Sequence, residues 1–76
     1  MDVIQSTKGT VIVNTKINTA LVNARKEAGL KQWQVAKEAK ISERVYQRYE
    51  AGDRIPRADI AKLIARALNS TVEELF

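Results

Sequence analysis

The 76-residue chain contains no cysteine and no histidine. Without cysteine there is no disulfide and no thiolate metal site. Without histidine the commonest general base and the commonest neutral metal ligand are both missing. No glycine-rich phosphate loop occurs. Acids such as Glu27 and Asp59 have lysines three or four residues on, Lys31 and Lys62, as on solvated helix surfaces. These absences argue against an enzyme and against any metal or cofactor. Long apolar runs are also missing, and no window approaches the roughly 20 apolar residues of a membrane span. The opening stretch MDVIQSTKGTVIVNTK has no basic start and only a short apolar segment, unlike a secretory signal. A cytoplasmic, soluble protein with no membrane partner is expected.

Seventy-six residues suffice for one domain, with a small core and marginal stability, since a chain this short buries only about 60% of its unfolded surface. The formal net charge is +4. Its distribution says more than its sum. From Arg25 to Arg57 there are nine Lys or Arg against five acids, whereas from Ala58 onward two bases face three acids. A localised basic patch suits a polyanion, although a solvated surface with a chance excess would look the same.

Residues 1–15 read as an N-terminal extension. Its β-branched segments flank Lys8-Gly9, and Gly9 tolerates the positive φ of a tight hairpin turn. A short β-hairpin or strand and a frayed arm both remain open. The remainder, 16–76, reads as an all-α domain of five helices. Ile17, Leu21, Ala24 and Ala28 recur at helical spacing, with Thr15 or Asn18 as N-cap and Gly29 as terminator. A second helix spans Gln32 to Ala39, with Val35, Ala36 and Ala39 inward. A third starts after Ser42 and stops at Gly52. Ile60, Leu63, Ile64, Ala67 and Leu68 form the strongest amphipathic pattern, a fourth helix. Thr71 and Glu74 read as a capping box for a last short helix.

On a helical wheel the third helix turns Tyr46 and Tyr49 inward, with Glu50 at the border. Arg44, Gln47 and Arg48 face outward, and Glu43 and Val45 lie on the flanks. Arginine and glutamine are side chains that read base edges in a DNA major groove, and Val45 could touch a thymine methyl. They are equally ordinary on a solvated helix. Two features tip the balance. Lys40-Ile41-Ser42 is a very short connection between helices two and three, which pushes the third outward. Lys31 and Gln32 lie at a helix start, where free N–H groups attract phosphate.

From Ile17 to Phe76, about four-fifths of the chain, the sequence resembles the lambda-repressor-like, Cro/CI-type (XRE-like) helix-turn-helix family of bacterial and phage regulators. The resemblance is carried by Leu21, Arg25, Gly29-Leu30, Gln32, Val35-Ala36, Ile41-Ser42, Tyr46, Tyr49-Glu50, Gly52, Pro56, Ile64-Ala65, Leu68 and Thr71 to Leu75. It implies base contacts from Glu43, Arg44, Val45, Gln47 and Arg48. It implies that Gln32 grips a phosphate while the loop from Asp53 to Arg57 approaches the backbone. With Lys31 and Lys40, the phosphate set is then Lys31, Gln32, Lys40, Arg54 and Arg57. It further implies an ion pair between Arg25 and Glu50, since a desolvated charge without a partner is expensive. The chain departs from the family pattern in three places. Lys40 stands where glycine is common, and a lysine takes a left-handed backbone only at a cost. Glu43 brings negative charge to a DNA-facing position, where it must accept from a cytosine amine or pair with a nearby residue. The N-terminal extension has no counterpart in the minimal domain.

The expected function is sequence-specific binding of double-stranded DNA as a transcriptional regulator associated with the nucleoid. A homodimeric repressor on a two-fold symmetric operator is expected, because one reading helix spans only a few base pairs. Leu68, Val72, Leu75 and Phe76 are expected to form the dimer surface. RNA polymerase or an antirepressor-type protein would be further partners. The alternative is an antitoxin, a restriction-modification controller or an adaptor whose main partner is another protein. The basic outward face of helix three favours DNA. Exposed Trp33 would serve as the landing site for the N-terminal segment.

Overall fold

The computed structural model describes residues 16–76, so the reading of residues 1–15 as hairpin, strand or arm lies outside the described residues. Five helices follow one another: α1 (Thr19–Glu27), α2 (Gln32–Glu38), α3 (Glu43–Ala51), α4 (Ala58–Ala67) and α5 (Val72–Leu75). There is no strand among the described residues. The core is built from Leu21 of α1, Val35 and Ala36 of α2 with Ala39 just beyond, Tyr46 and Tyr49 of α3, Ile64 and Ala65 of α4, Leu68, and Leu75 of α5. Every helix thus contributes to one apolar cluster, the arrangement that lets short helices persist although each is too short to be stable alone.

The helix ends explain the boundaries. Asn18 caps α1: its Oδ1 accepts from the Leu21 N–H at 3.0 Å. Its Nδ2 also donates to the Leu75 carbonyl at 2.7 Å, and its backbone N–H to the Glu50 carbonyl at 2.9 Å. One side chain and its amide therefore join the start of α1 to the ends of α3 and α5. Ser42 and Thr71 cap α3 and α5 in the same manner through their hydroxyls. The capping box of α5 is half formed. Thr71 Oγ1 accepts from the Glu74 N–H, but the Glu74 carboxylate takes its hydrogen bond from the Ser70 hydroxyl at 2.9 Å.

Four helices end in one device. The residue after the C-cap turns left-handed at Gly29 (φ 72°), Lys40 (φ 60°) and Asn69 (φ 54°), and Gly52 (φ 80°) does so at the end of α3. Each time the next N–H reaches back to the last turn: Leu30 to Arg25, Ile41 to Ala36, Asp53 to Arg48 and Ser70 to Ala65. This Schellman pattern satisfies carbonyls that the helix leaves open. Lys40 adopts the geometry that glycine would take freely, and Asn69 carries it through the tolerance of asparagine for this region.

Two assignments shift. Ile17 precedes α1 and is 43% exposed, and Ala28 is the exposed C-cap. The inner stripe of α1 is accordingly Leu21 with Ala24 beside it. On α4 the most buried positions include Ala61 and Ala65 as well as Ile64, while Ile60, Leu63 and Ala67 are half-buried against the core. The small alanines let α4 approach its neighbours closely.

Gly52 is needed for space as well as backbone freedom. A Cβ there would lie 1.5 Å from the Lys16 carbonyl oxygen. Gly52→Ala combines a left-handed penalty of about 1–2 kcal/mol with a clash against backbone. A melting-temperature fall of at least roughly 4–16 °C is expected in thermal unfolding, and an unchanged transition would contradict the close approach.

Candidate nucleic-acid interface

α2 and α3 are joined through Lys40, Ile41 and Ser42, with Ile41 half-buried as the pivot. The inward side of α3 is Tyr46, Tyr49 and Glu50, all buried. Its outward side presents Arg44, Gln47 and Arg48, all exposed, with Glu43 exposed in the first turn. Val45 is half-buried and packs against the core. Its apolar surface is thus shared between core and flank.

The helix is held by a polar cluster at its inner end. Arg25 Nε donates to Glu50 Oε2 at 2.6 Å and Arg25 Nη2 to Glu50 Oε1 at 3.3 Å, a two-pronged ion pair. Arg25 Nη1 donates to the Leu30 carbonyl at 3.0 Å. The Tyr46 hydroxyl donates to Glu50 Oε2 at 2.7 Å, and Gln32 Nε2 to Glu50 Oε1 at 2.9 Å. Glu50 therefore receives four donors from α1, α2 and α3. Tyr46 is fully buried, and its hydroxyl finds its partner inside the domain. The one-turn spacing from Tyr46 to Glu50 was the signal for this contact. The Gln32 contact had no local signal, because it depends on how α2 crosses α3.

Burial pushes the Glu50 carboxyl up, but the hydrogen bonds from Arg25, Tyr46 and Gln32 and the Arg25 charge outweigh it and hold the group below its ordinary value. The Glu50 hydrogen bond raises Arg25 against the opposing effect of burial. Tyr46 is pushed well up, first by burial and then by its bond to the carboxylate. At neutral pH the cluster is therefore Arg⁺, Glu⁻ and neutral Tyr.

The cationic residues surround α3. Lys31 is the exposed N-cap of α2, and Lys40 is exposed in the turn. Arg54 and Arg57 are exposed in the connector after α3. Arg57 pairs with Asp59 at 3.2 Å, both ends largely exposed, so the pair is weak and open to competition. The side chain of Gln32 points to Glu50 through its nitrogen, while its oxygen accepts from Gln47 Nε2 at 3.3 Å. Among the described residues Glu43 has no ion-pair partner. Its place in the first turn of α3 is favourable for a negative charge.

A family model described as Helix-turn-helix matches residues 21–75. The chain belongs to the helix-turn-helix family. It is of the XRE, lambda-repressor-like type, a DNA-binding transcription regulator. The family is one of DNA-binding domains and not of enzymes. No curated protein and no solved structure matches the chain. No described helix of this helix-turn-helix protein is long and apolar enough to cross a membrane.

Of the expected dimer surface, Leu68 is 5% and Leu75 2% exposed in the single chain, so both belong first to the domain's own core. In a domain this small the C-terminal apolar residues are needed to close its own interior. Val72 is half-buried and Phe76 is 38% exposed. Ile55, which sequence reasoning passed over as a connector residue, is 85% exposed. It lines one surface groove with Phe76, Lys16, Asn18 and Tyr49. Trp33 is 49% exposed and lies in a different groove with Leu30, Lys37 and Arg66.

A pH dependence follows from Glu50 in this helix-turn-helix domain. Its folded value lies below the ordinary 4.5. The stability it contributes is fully present above that ordinary value and is lost as pH falls through the lower folded value. Thermal melts from pH 7 downward are expected to hold until about pH 5 and then drop, and a Glu50→Gln variant should lose part of that acid sensitivity. A wild-type melting temperature that stays flat to pH 2 would contradict the charged cluster.

Proposed function

We propose that this protein is a sequence-specific repressor that binds double-stranded DNA as a homodimer, with α3 in the major groove. Arg44, Gln47 and Arg48 would read base edges, flanked by Glu43 and by the exposed edge of Val45. Lys31, Gln32, Lys40, Arg54 and Arg57 would hold the phosphates and set the register. The supporting observation is the division of α3: one side is locked by Glu50 and the tyrosines, and the other carries two exposed guanidiniums on the helix that follows a short turn after α2.

Two-fold pairing would use the exposed Ile55 and Phe76 with half-buried Val72, and would place two copies of α3 about one helical turn apart on the duplex. Occupancy of such a site blocks polymerase without any further contact, so repression is the outcome that asks least of the surface.

Selection from random duplexes tests this reading. The wild type is expected to recover a two-fold symmetric site, and its affinity should fall steeply with salt, by roughly 10³–10⁵ between 50 and 200 mM if six to ten phosphates are held. Recovery of unrelated sequences with equal affinity would sink the sequence-specific claim. Recovery of a single asymmetric half-site would remove the dimer.

A further inference from the structure

We propose that the apolar segment Val11–Val13 docks in the Ile55–Phe76 groove of its own chain and masks the face that two copies would use to pair. The masking rests on the two-fold pairing proposed above, while the docking does not. Ile55 is the most exposed large apolar side chain among the described residues, and Phe76 lines the same groove. Exposed apolar surface of this kind marks a contact site. The chain enters the described fold at this groove. Lys16, the first described residue, lines it together with Asn18. Several contacts fix that entry. Lys16 Nζ pairs with Asp53 Oδ1 at 3.0 Å. The Asn18 N–H donates to the Glu50 carbonyl at 2.9 Å, and its Nδ2 to the Leu75 carbonyl at 2.7 Å. The Lys16 backbone lies so close to Gly52 that a Cβ there would be 1.5 Å from the Lys16 carbonyl oxygen. The segment before Lys16 therefore starts at the edge of the groove.

The sequence supplies the occupant. Val11, Ile12 and Val13 stand three to five residues before Lys16, a reach of at most about 10–18 Å. In an extended chain Val11 and Val13 share a face, so both can meet Ile55 and Phe76 together. A tether this short gives an effective concentration of about millimolar, which a second copy at micromolar concentration does not match. The Trp33 groove is lined by nothing before Leu30 among the described residues, so the entry of the chain favours Ile55 over Trp33 as the landing site. Docking and pairing compete for one apolar surface. Each copy must free its groove before it pairs, which weakens pairing by the fraction that is free. Two half-sites on one duplex bring copies together and offset this cost.

The test uses the full chain, free of DNA. In a mixture of ¹³C-labelled and unlabelled wild type, nuclear Overhauser contacts from the Val11 and Val13 methyls to the Phe76 ring are expected within a chain and not between chains. The full-length double variant Val11→Ser with Val13→Ser should self-associate in sedimentation with a dissociation constant lower by about tenfold or more, because neither copy must first free its groove. Contacts seen only between chains would make a second copy the occupant and overturn the docking. Contacts to the Trp33 indole instead, or none, would overturn it as well. Docking contacts with an unchanged dissociation constant would overturn the masking. Docking contacts with no self-association by either protein would overturn the two-fold pairing and the masking, but not the docking.

Discussion

Glu50→Ala is expected to leave the domain largely unfolded at 25 °C. The substitution strands a guanidinium whose side chain is only 14% exposed. It also removes the acceptor of the buried Tyr46 hydroxyl and of the Gln32 amide. Removing one member of a buried ion pair costs about 3–5 kcal/mol. A folded unit of about sixty residues has roughly 3–9 kcal/mol of stability in total, so the loss is comparable with the whole. Circular dichroism melts should show a fall of roughly 12–40 °C or no cooperative transition. Glu50→Gln keeps an acceptor for Tyr46 and should fall in between. A near-native melt for Glu50→Ala would show that Arg25 reaches solvent without cost.

Arg44→Ala combined with Arg48→Ala is expected to abolish discrimination between the selected duplex and a scrambled one. Each arginine that meets a guanine contributes about 1–3 kcal/mol of preference, so the double variant should lose roughly 30-fold or more in the ratio of the two affinities. Folding should be untouched. Both side chains are exposed and neither takes part in an ion pair among the described residues, and such substitutions usually change stability by no more than about 0.5 kcal/mol. Binding to the scrambled duplex should persist, weakened by the loss of two charges, because Lys31, Lys40, Arg54 and Arg57 remain. Anisotropy titrations at one fixed salt concentration separate the two effects. A retained ratio would mean that sequence is read elsewhere.

The helices were legible in the chain because their ends carry local chemistry. Asn18, Ser42 and Thr71 are caps whatever surrounds them, and Gly29 and Gly52 stop helices through their own backbone freedom. Asn69 ends α4 by the same geometry, but asparagine is a weaker signal than glycine. Ala61 was passed over, and Ala65 entered only through the family resemblance, because periodicity weighs large apolar residues, while close helix approach selects small ones. Leu68 and Leu75 look alike in sequence whether they close a core or a dimer. Their assignment depends on how much surface the domain must bury for itself. The two faces of α3 were readable from a helical wheel, since that is geometry within one element. The hydrogen bonds of Gln32 to Glu50 and Gln47 were not, since they arise only when α2 is laid across α3.

The central claim is that the outward face of α3 enters a DNA groove. A titration of ¹⁵N-labelled protein with the selected duplex tests it most directly. The largest amide shift changes are expected over residues 43–48, with smaller ones at Lys31, Lys40, Arg54 and Arg57. Changes concentrated on α4 or around Trp33, with α3 silent, would contradict it.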